Sequence, residues 1–361
     1  MNAPIPTFPQ SEKGFWTPFR RFQSVRGYTH MGEDLLVAIL VFLASAGVVI
    51  YCGAKLAVYG DALATLTGWG RLFVGSLLIA LATSLPELST NVSAVRLDPP
   101  NPGLALGDIL GSNMLNMFIL ASVALVFGGK RFLVRVAPEQ RYLVVVAAAL
   151  TGLAILMGSL NFGASVWEVG LSSMVLLVVF VLGMWVVYKT KPVDTRYEED
   201  DPHISLTRAW ILFGLVSAGV VVSGFFLAWS TDEIADITGI ASSTLGILLL
   251  SVVTSMPEVS ATVAAARMGA ADLGVGGLFG SCGFNATILF HSDLFYRDGI
   301  LINQAEPAHL VAGGGAVAMM LISLVLILGR IRINSGFIVA GLALMVGVYL
   351  TGATIAASLG E

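Results

Sequence analysis

Long apolar runs dominate this chain and restrict it to a fold that spans a membrane. About ten runs approach or exceed the roughly 20 residues that a helix needs to cross a bilayer. Inside lipid every backbone polar group has to be satisfied internally, so such runs form helices. The runs are 35–59, 71–97, 103–127, 139–159, 166–188, 209–231, 242–268, 274–295, 308–329 and 336–357. The sequence therefore predicts an all-α polytopic membrane protein with about ten transmembrane helices.

The composition excludes several other classes of protein. Hydrophobic residues make up 56% of the chain and charged residues only 12%, whereas a soluble domain carries about 25% charged residues. The formal net charge of -4 is small and dispersed, so no nucleic-acid partner is expected. Cys52 and Cys282 lie in apolar segments without the spacing of a metal site, and we interpret both as packing residues.

The two halves of the chain repeat each other. When residues 53–96 are shifted by 171 positions, about 18 of the 44 residues are identical, and many of the matches are polar or glycine. Beyond the next loop the shift becomes 169, so that Gly111 and Ser112 match Gly280 and Ser281. Each half holds an odd number of predicted spans, so the second copy enters the membrane from the opposite side. Inverted repeats of this kind place a binding site near the bilayer midplane, where the copies meet.

The repeat also predicts how the chain is organised. We expect a polar tail at 1–33, a first repeat at 34–188, a connecting loop at 189–207 and a second repeat at 208–361. Most of the basic residues fall on the side of the membrane that carries the connecting loop. By the positive-inside rule this loop is cytoplasmic and both termini are outside.

A short acidic motif recurs inside two of the apolar runs. The sequence TSLPE at 83–87 returns as TSMPE at 254–258. A carboxylate in the bilayer core costs several kcal/mol unless it meets a cation or another partner. Proline frees a backbone carbonyl about one turn back, which we expect around residues 80–83. Threonine and glutamate four positions apart share a helix face. The pattern predicts one cation site built from two copies of one element.

The side chains in and near the motif favour a hard cation. Calcium takes six to eight oxygen ligands in adaptable geometry, whereas zinc and copper prefer histidine or cysteine, which these motifs lack. Two glutamates would neutralise one divalent ion, and sodium would compete for the same oxygens. We expect no cofactor, because calcium and sodium are themselves the cargo. The candidate residues are Ala80, Thr83, Ser84, Glu87, Ser112, Asn116, Ser251, Thr254, Ser255, Glu258, Ser281 and Asn285.

Three other charged features fall outside the symmetric set. Asp108 is a further acid, but its counterpart in the second half is Gly277. His291 stands close to Asp293 and could pair with it in a proton relay, an interpretation that we do not favour. The acidic run 198–201 is interpreted as a solvated loop.

These motifs resemble those of the calcium/cation antiporter superfamily, in particular its sodium/calcium exchanger branch. The resemblance extends over nearly the whole chain from about residue 35 to 357. It is carried by ATSLPEL at 82–88 with GDILGSNMLN at 107–116, and by VTSMPEV at 253–259 with GSCGFN at 280–285.

The resemblance implies ten helices, alternating access and exchange of sodium for calcium at four clustered sites. By this resemblance Glu87 and Glu258 would hold calcium. The calcium and sodium sites would be completed by Thr83, Ser84, Thr254, Ser255, Ser112 and Ser281, the carbonyls of Ala80 and Ser251, and the amides of Asn116 and Asn285. Two departures stand out: Cys282 replaces the first asparagine of Gly-Ser-Asn, and Asn285 stands where several relatives carry aspartate.

Several alternatives remain open at this stage. Calcium/proton and sodium/magnesium exchange would use the same acids, and a cation channel could use them as part of a pore. Enzymes that work inside membranes fit poorly: a serine protease needs a histidine partner, and an aspartyl protease needs two aspartates where this chain has Glu87 and Glu258. We expect an integral protein of a prokaryotic plasma (inner) membrane whose partners are lipid and small cations.

Overall fold

The computed structural model describes residues 31–67, 80–190 and 204–359, and almost all of them are helical. The first half contains α1 (Met31–Thr67), α2 (Leu85–Ala94), α3 (Pro102–Val126), α4 (Lys130–Val134), α5 (Gln140–Leu160) and α6 (Leu171–Thr190). The second half contains α7 (Leu206–Thr238), α8 (Ser242–Leu245), a π-helical turn (Gly246–Leu250), α9 (Ser251–Thr254), α10 (Met256–Arg267), α11 (Ala271–Asp293), a 3₁₀ turn (Leu301–Gln304), α12 (Pro307–Gly329) and α13 (Ser335–Leu359).

The all-α polytopic fold is confirmed. Within the described residues eight helices are long and apolar enough to cross a membrane, or nine when the bent segment from α8 to α10 is taken as one span. The predicted span at 71–97 lies partly outside the described residues, so the count of about ten stays a prediction. The tail at 1–30 and the acidic run 198–201 also lie outside them.

One predicted span begins later than expected. Instead of continuing a helix from 166, the chain forms a short antiparallel hairpin of β1 (Ser165–Val166) and β2 (Val169–Gly170) before α6. Trp167 and Glu168 make its turn with φ of 52° and 67°, in the left-handed region that interrupts a helix. The Asp293 carboxylate accepts hydrogen bonds from Gly170 N and Ser173 Oγ, which fixes the hairpin against α11.

Contacts between loops define the two faces of the helical bundle. On one face Arg96 stacks on the ring of Phe295, and Arg297 pairs with Glu168 at 2.8 Å. We call this the hairpin face; it carries loops 95–101, 161–170 and 294–300. On the opposite face Lys130 Nζ donates to Ile333 O, and Ala137 N donates to the Asp272 carboxylate. We call this the basic face; it carries loops 127–139, 268–270 and 330–334.

The helices α3 and α11 form the buried centre of the bundle, and α1 and α7 lie together against the broken segments. Two repeat-related glycines make this second contact close. A Cβ on Gly53 would lie 2.2 Å from Pro257 Cγ, and one on Gly224 would lie 2.3 Å from Ser89 Oγ. The long helices α1 and α7 therefore touch the chain next to both copies of the acidic motif.

Candidate ion-binding site

Both copies of the acidic motif interrupt a helix at the same place. The axis bends by 45° between the segment ending at Thr254 and α10. The residue at the break is Ser255, with φ and ψ of −85° and 7°, and its counterpart Ser84 has −90° and 6°. Each break is followed by a proline in the first turn of the next helix, which lacks the N–H for a regular helical bond. The repeat in the sequence is thus reproduced in the backbone.

The carbonyls expected to be free at Ala80 and Ser251 are already engaged. Ala80 O accepts from Ser84 N at 3.0 Å and from Thr83 Oγ1 at 3.2 Å. Ser251 O accepts from Ser255 N at 3.0 Å and from Thr254 Oγ1 at 3.3 Å. The prediction that Ala80 loses its helical partner is therefore wrong for this conformation. Within the predicted range 80–83, it is residue 82, one helical turn back, that loses its bond to the proline at 86.

The carboxylate of the first half meets a hydroxyl of the second. Ser255 Oγ lies 3.2 Å from Glu87 Oε1 and 3.2 Å from Ser112 Oγ. Glu87 is only 1% exposed, and its Oε2 has no hydrogen-bond partner. One oxygen of this buried acid is therefore held by the second copy of the motif, and the other is available to a ligand.

The second carboxylate is held in a related way. Ser281 Oγ donates to Glu258 Oε1 at 3.0 Å, and it lies 3.2 Å from Ser84 Oγ and 3.4 Å from Thr83 Oγ1. Glu258 is 3% exposed, and its Oε2 also lacks a partner. The structure thus brings seven of the predicted residues, Ser112 among them, into two clusters of hydroxyls and carboxylates, each of which joins the two halves of the chain.

The two predicted asparagines are buried one turn beyond Ser112 and Ser281. Neither amide atom of Asn116 has a hydrogen-bond partner. Asn285 donates through Nδ2 to Asn113 Oδ1 at 2.9 Å, and its own Oδ1 is without a partner. Asn113 was missed at the sequence level. The repeat aligns Asn113 with Cys282. The replacement of asparagine by Cys282 in the second half was therefore the signal that could have drawn attention to Asn113.

Asp108 is much closer to the motif than the sequence suggested. It is fully buried, and its Oδ1 accepts from Thr254 Oγ1 at 2.9 Å. Its Oδ2 accepts from Thr90 Oγ1 at 3.0 Å and from Asn91 Nδ2 at 2.6 Å. Thr90 and Asn91 were also missed, although they follow Glu87 by three and four positions and so share its helix face.

The proton relay considered for His291 is not formed. His291 Nδ1 lies 2.7 Å from Thr287 O, within its own helix. The carboxylate of Asp293 accepts from Gly170 N, Ser173 Oγ and Leu301 N. Asp293 therefore serves the hairpin and the loop after α11.

A cavity of about 380 Å³ extends from one of the two carboxylates toward the loop 268–270 of the basic face. Its walls include Glu258 and Thr83 at depth and Met268 near the loop 268–270. Along the way α10 and α11 contribute small side chains. These are Ser260, Ala261, Thr262, Ala264, Gly274 and Gly277.

In the described part of the chain, no three acidic, histidine or cysteine side chains converge closely enough to hold a metal ion on their own. A hard cation bound here would therefore take hydroxyl, amide or carbonyl oxygens in addition to carboxylates. The serine, threonine and asparagine side chains around Glu87 and Glu258 are of that kind.

The comparison with known proteins agrees with this geometry. The family model described as "Sodium/calcium exchanger protein" matches residues 37–188 and 208–356, one segment in each half. The chain belongs to this family. As a family member it is a membrane antiporter for cations, and the family consists of transporters rather than enzymes.

Relatives of this exchanger are distant in sequence, and the solved structures among them share its fold. Inner membrane protein YrbG of Escherichia coli is 22% identical over 259 residues, which cover 71% of this chain and 78% of YrbG. The structure of the sodium-calcium exchanger NCX_Mj aligns with a TM-score of 0.58 at 20% identity, covering 89% and 99% of the two chains. The H+/Ca2+ exchanger CAX aligns with a TM-score of 0.65 at 14% identity, covering 92% and 94%.

Proposed function

We propose that this exchanger couples sodium entry to calcium extrusion by alternating access. The observation that carries the proposal is a pair of hydrogen-bond clusters, each of which joins the halves: each buried glutamate is linked to the other copy of the motif through serine hydroxyls. Each also keeps one carboxylate oxygen without a partner. An ion that binds both oxygens would join the two halves at one point.

The charge and the donor set favour calcium as one cargo ion. Glu87 and Glu258 together carry two negative charges, which match one divalent cation. Calcium accepts six to eight oxygens in irregular geometry, whereas magnesium demands a strict octahedron and retains its waters. The hydroxyls of Ser84, Ser255 and Ser281 lie beside these carboxylates, and sodium can use the same oxygens. Competition for shared oxygens makes binding of the two ions mutually exclusive.

The contacts of α1 and α7 support a movement between two states. Gly53 meets Pro257, and exact symmetry would bring Gly224 to Pro86. Gly224 instead meets Ser89, about one helical turn further along α2. The two long helices are thus displaced differently along the two broken segments. Sliding α1 and α7 over the core would exchange these positions and move access from one face to the other.

The proposal also includes the membrane in which the protein lies and its orientation there. We place the protein in the plasma (inner) membrane of a prokaryotic cell, surrounded by lipid and small cations. The basic face is cytoplasmic by the positive-inside rule. The cavity that reaches Glu258 from this face would then be open to the cytoplasm.

The test is to compare driving ions in proteoliposomes that contain the purified chain. Vesicles loaded with sodium are diluted into sodium-free medium, and entry of calcium-45 is followed. We expect uptake that stops when the sodium gradient is collapsed and does not respond to a pH jump. Uptake that follows the pH jump would indicate calcium/proton exchange, and exchange of magnesium in place of calcium would indicate a sodium/magnesium antiporter. Calcium flux that ignores both gradients would indicate a channel.

A further inference from the structure

The open cavity in the second half has a filled counterpart in the first half. In the second half a cavity lined by α1, α10 and α11 leads to Glu258. Small or neutral residues line this part of the cavity in the second half. At the repeat-related positions of the first half there are polar residues that form hydrogen bonds. The repeat pairs Thr83 with Thr254, Ala261 with Thr90, Thr262 with Asn91, and Gly277 with Asp108.

The filled counterpart is held together by one carboxylate. Asp108 accepts hydrogen bonds from Thr254, Thr90 and Asn91 at 2.6–3.0 Å. These partners come from both halves of the chain, so the cluster closes the gap between α2, α3 and α9. Three donors satisfy the carboxylate while it is enclosed, as a buried charge requires.

We propose that Asp108, with Thr90 and Asn91, lines a second entrance to the ion site that opens on the hairpin face and attracts cations there. The inference rests on the proposed exchange by alternating access. In an inverted-repeat transporter the two halves exchange their conformations between the two states. The space around Asp108 then takes the open form that now surrounds Gly277, and the Thr254 hydroxyl separates from the carboxylate.

The arrangement of the loops assigns this entrance to the hairpin face. From Thr90 and Asn91 the chain continues to loop 95–101, which lies on the hairpin face. From Ala261 and Thr262 it continues to loop 268–270, beside Arg135 on the basic face. The two pathways therefore lead to opposite sides of the membrane.

The two entrances differ in charge. The entrance on the hairpin face has the carboxylate of Asp108 one turn before Ser112, whereas the entrance on the basic face has glycine at the same position. A negative charge in a narrow, weakly polar cleft concentrates cations and raises their rate of association. Calcium should therefore be captured more readily from the hairpin face, and this advantage should shrink as salt screens the charge.

The experiment measures the apparent KM for calcium separately at each face, in inside-out and right-side-out vesicles. For Asp108→Asn we expect a rise of about threefold to tenfold at the hairpin face at low ionic strength, a smaller rise at high ionic strength, and no change at the basic face. The mirror variant Gly277→Asp should lower the KM at the basic face. Its new Cβ would meet no atom within 4 Å, so the position accepts a side chain.

Other outcomes would overturn the proposal. An equal rise at both faces for Asp108→Asn would make Asp108 part of the shared ion site, and an unchanged KM at both would remove its role in capture. If Asp108→Asn does not fold, an unchanged KM at the basic face in Gly277→Asp overturns the proposal by itself. Failure of the proposed function is distinguished beforehand, because the unmodified chain would then show no gradient-driven calcium uptake in the same vesicles.

Discussion

The two broken helices carry the same acidic motif in different surroundings. Ser84 and Ser255 have nearly identical backbone angles, and each is followed by a proline and a buried glutamate. Around the first break the neighbouring space is filled by Asp108 and its donors, and around the second it is a cavity of about 380 Å³. The candidate ligands are thus present in duplicate, while the residues that we propose control access to them differ between the halves.

This difference separates two tasks that act on the same ion. A bound cation needs oxygens from both copies of the motif, and this demand is symmetric. An ion that enters from one side leaves a different solution, at a different electric potential, from an ion that enters from the other side, so the demand on entry is not symmetric. Variants at matched positions of the two halves can therefore distinguish the two kinds of residue. Paired changes at ligand residues should have similar effects on exchange, whereas paired changes at access residues should have different effects.

The largest expected effect is at the glutamates. Glu87→Gln and Glu258→Gln should each reduce calcium exchange by at least about a hundredfold, because half of the negative charge that balances the divalent ion is lost in a site of low dielectric. Uptake of calcium-45 into proteoliposomes measures this loss. The exposed Glu168→Gln serves as the control and should retain full activity. A large loss in one variant with normal exchange in the other would refute a site shared by the two halves.

The next largest effect is expected at the paired glycines. Gly53→Ala and Gly224→Ala place a Cβ within 2.3 Å of an atom of α10 or α2, and overpacking of this kind costs about 1–3 kcal/mol. We expect exchange to fall roughly tenfold to a hundredfold in each, since that cost falls on the sliding contact. Gly47→Ala on α1 and Gly214→Ala on α7 are matched controls, because their Cβ atoms would meet nothing within 4 Å. Normal exchange in both test variants would argue against a close sliding contact.

A smaller effect is expected at the serines that hold the carboxylates. Ser255→Ala removes the hydroxyl beside Glu87, and Ser281→Ala removes the donor to Glu258. Hydrogen bonds to charged groups contribute about 1.5–3 kcal/mol, so the apparent affinity for calcium should fall roughly tenfold to a hundredfold in each. Ser217→Ala on α7, whose hydroxyl donates only to its own helix, should leave the affinity unchanged. Unequal losses of calcium affinity in the two test variants would show that one half contributes more to ion binding than the other.

Much of the fold could be predicted because the bilayer imposes a length. The predicted runs 103–127 and 336–357 match α3 and α13 to within two residues at either end. The late start of α6 could not be predicted, since the hairpin depends on Asp293, which is more than a hundred residues away in the chain. Segments of this kind are set by tertiary contacts rather than by hydrophobicity.

The candidate site was predictable to the extent that it is repeated. The repeat singled out Glu87 and Glu258, and the structure places each in a hydroxyl cluster that contains residues of both halves. Their role in ion binding stays a prediction. Asp108 was set aside for the same reason, because an argument from symmetry discards a residue without a counterpart. The engaged carbonyl of Ala80 was missed because a proline rule specifies a lost bond but not where a nearby threonine will donate.

The smallest effect we expect separates the two threonines of the motif. Thr254→Val removes a donor from the enclosed carboxylate of Asp108, whereas Thr83→Val removes a hydroxyl that borders the cavity and contacts Ser281 at 3.4 Å. Loss of a donor to a buried charge costs about 1–3 kcal/mol, while a hydroxyl next to a cavity can be replaced by water at lower cost. Thr254→Val should therefore lower the thermal midpoint of the detergent-solubilised protein by a few degrees more than Thr83→Val does. Equal midpoints would mean that the Asp108 cluster adds no stability to the first half. In that event its three hydrogen bonds would be no better than contacts with water, and the divergence between the halves would matter only for ion entry.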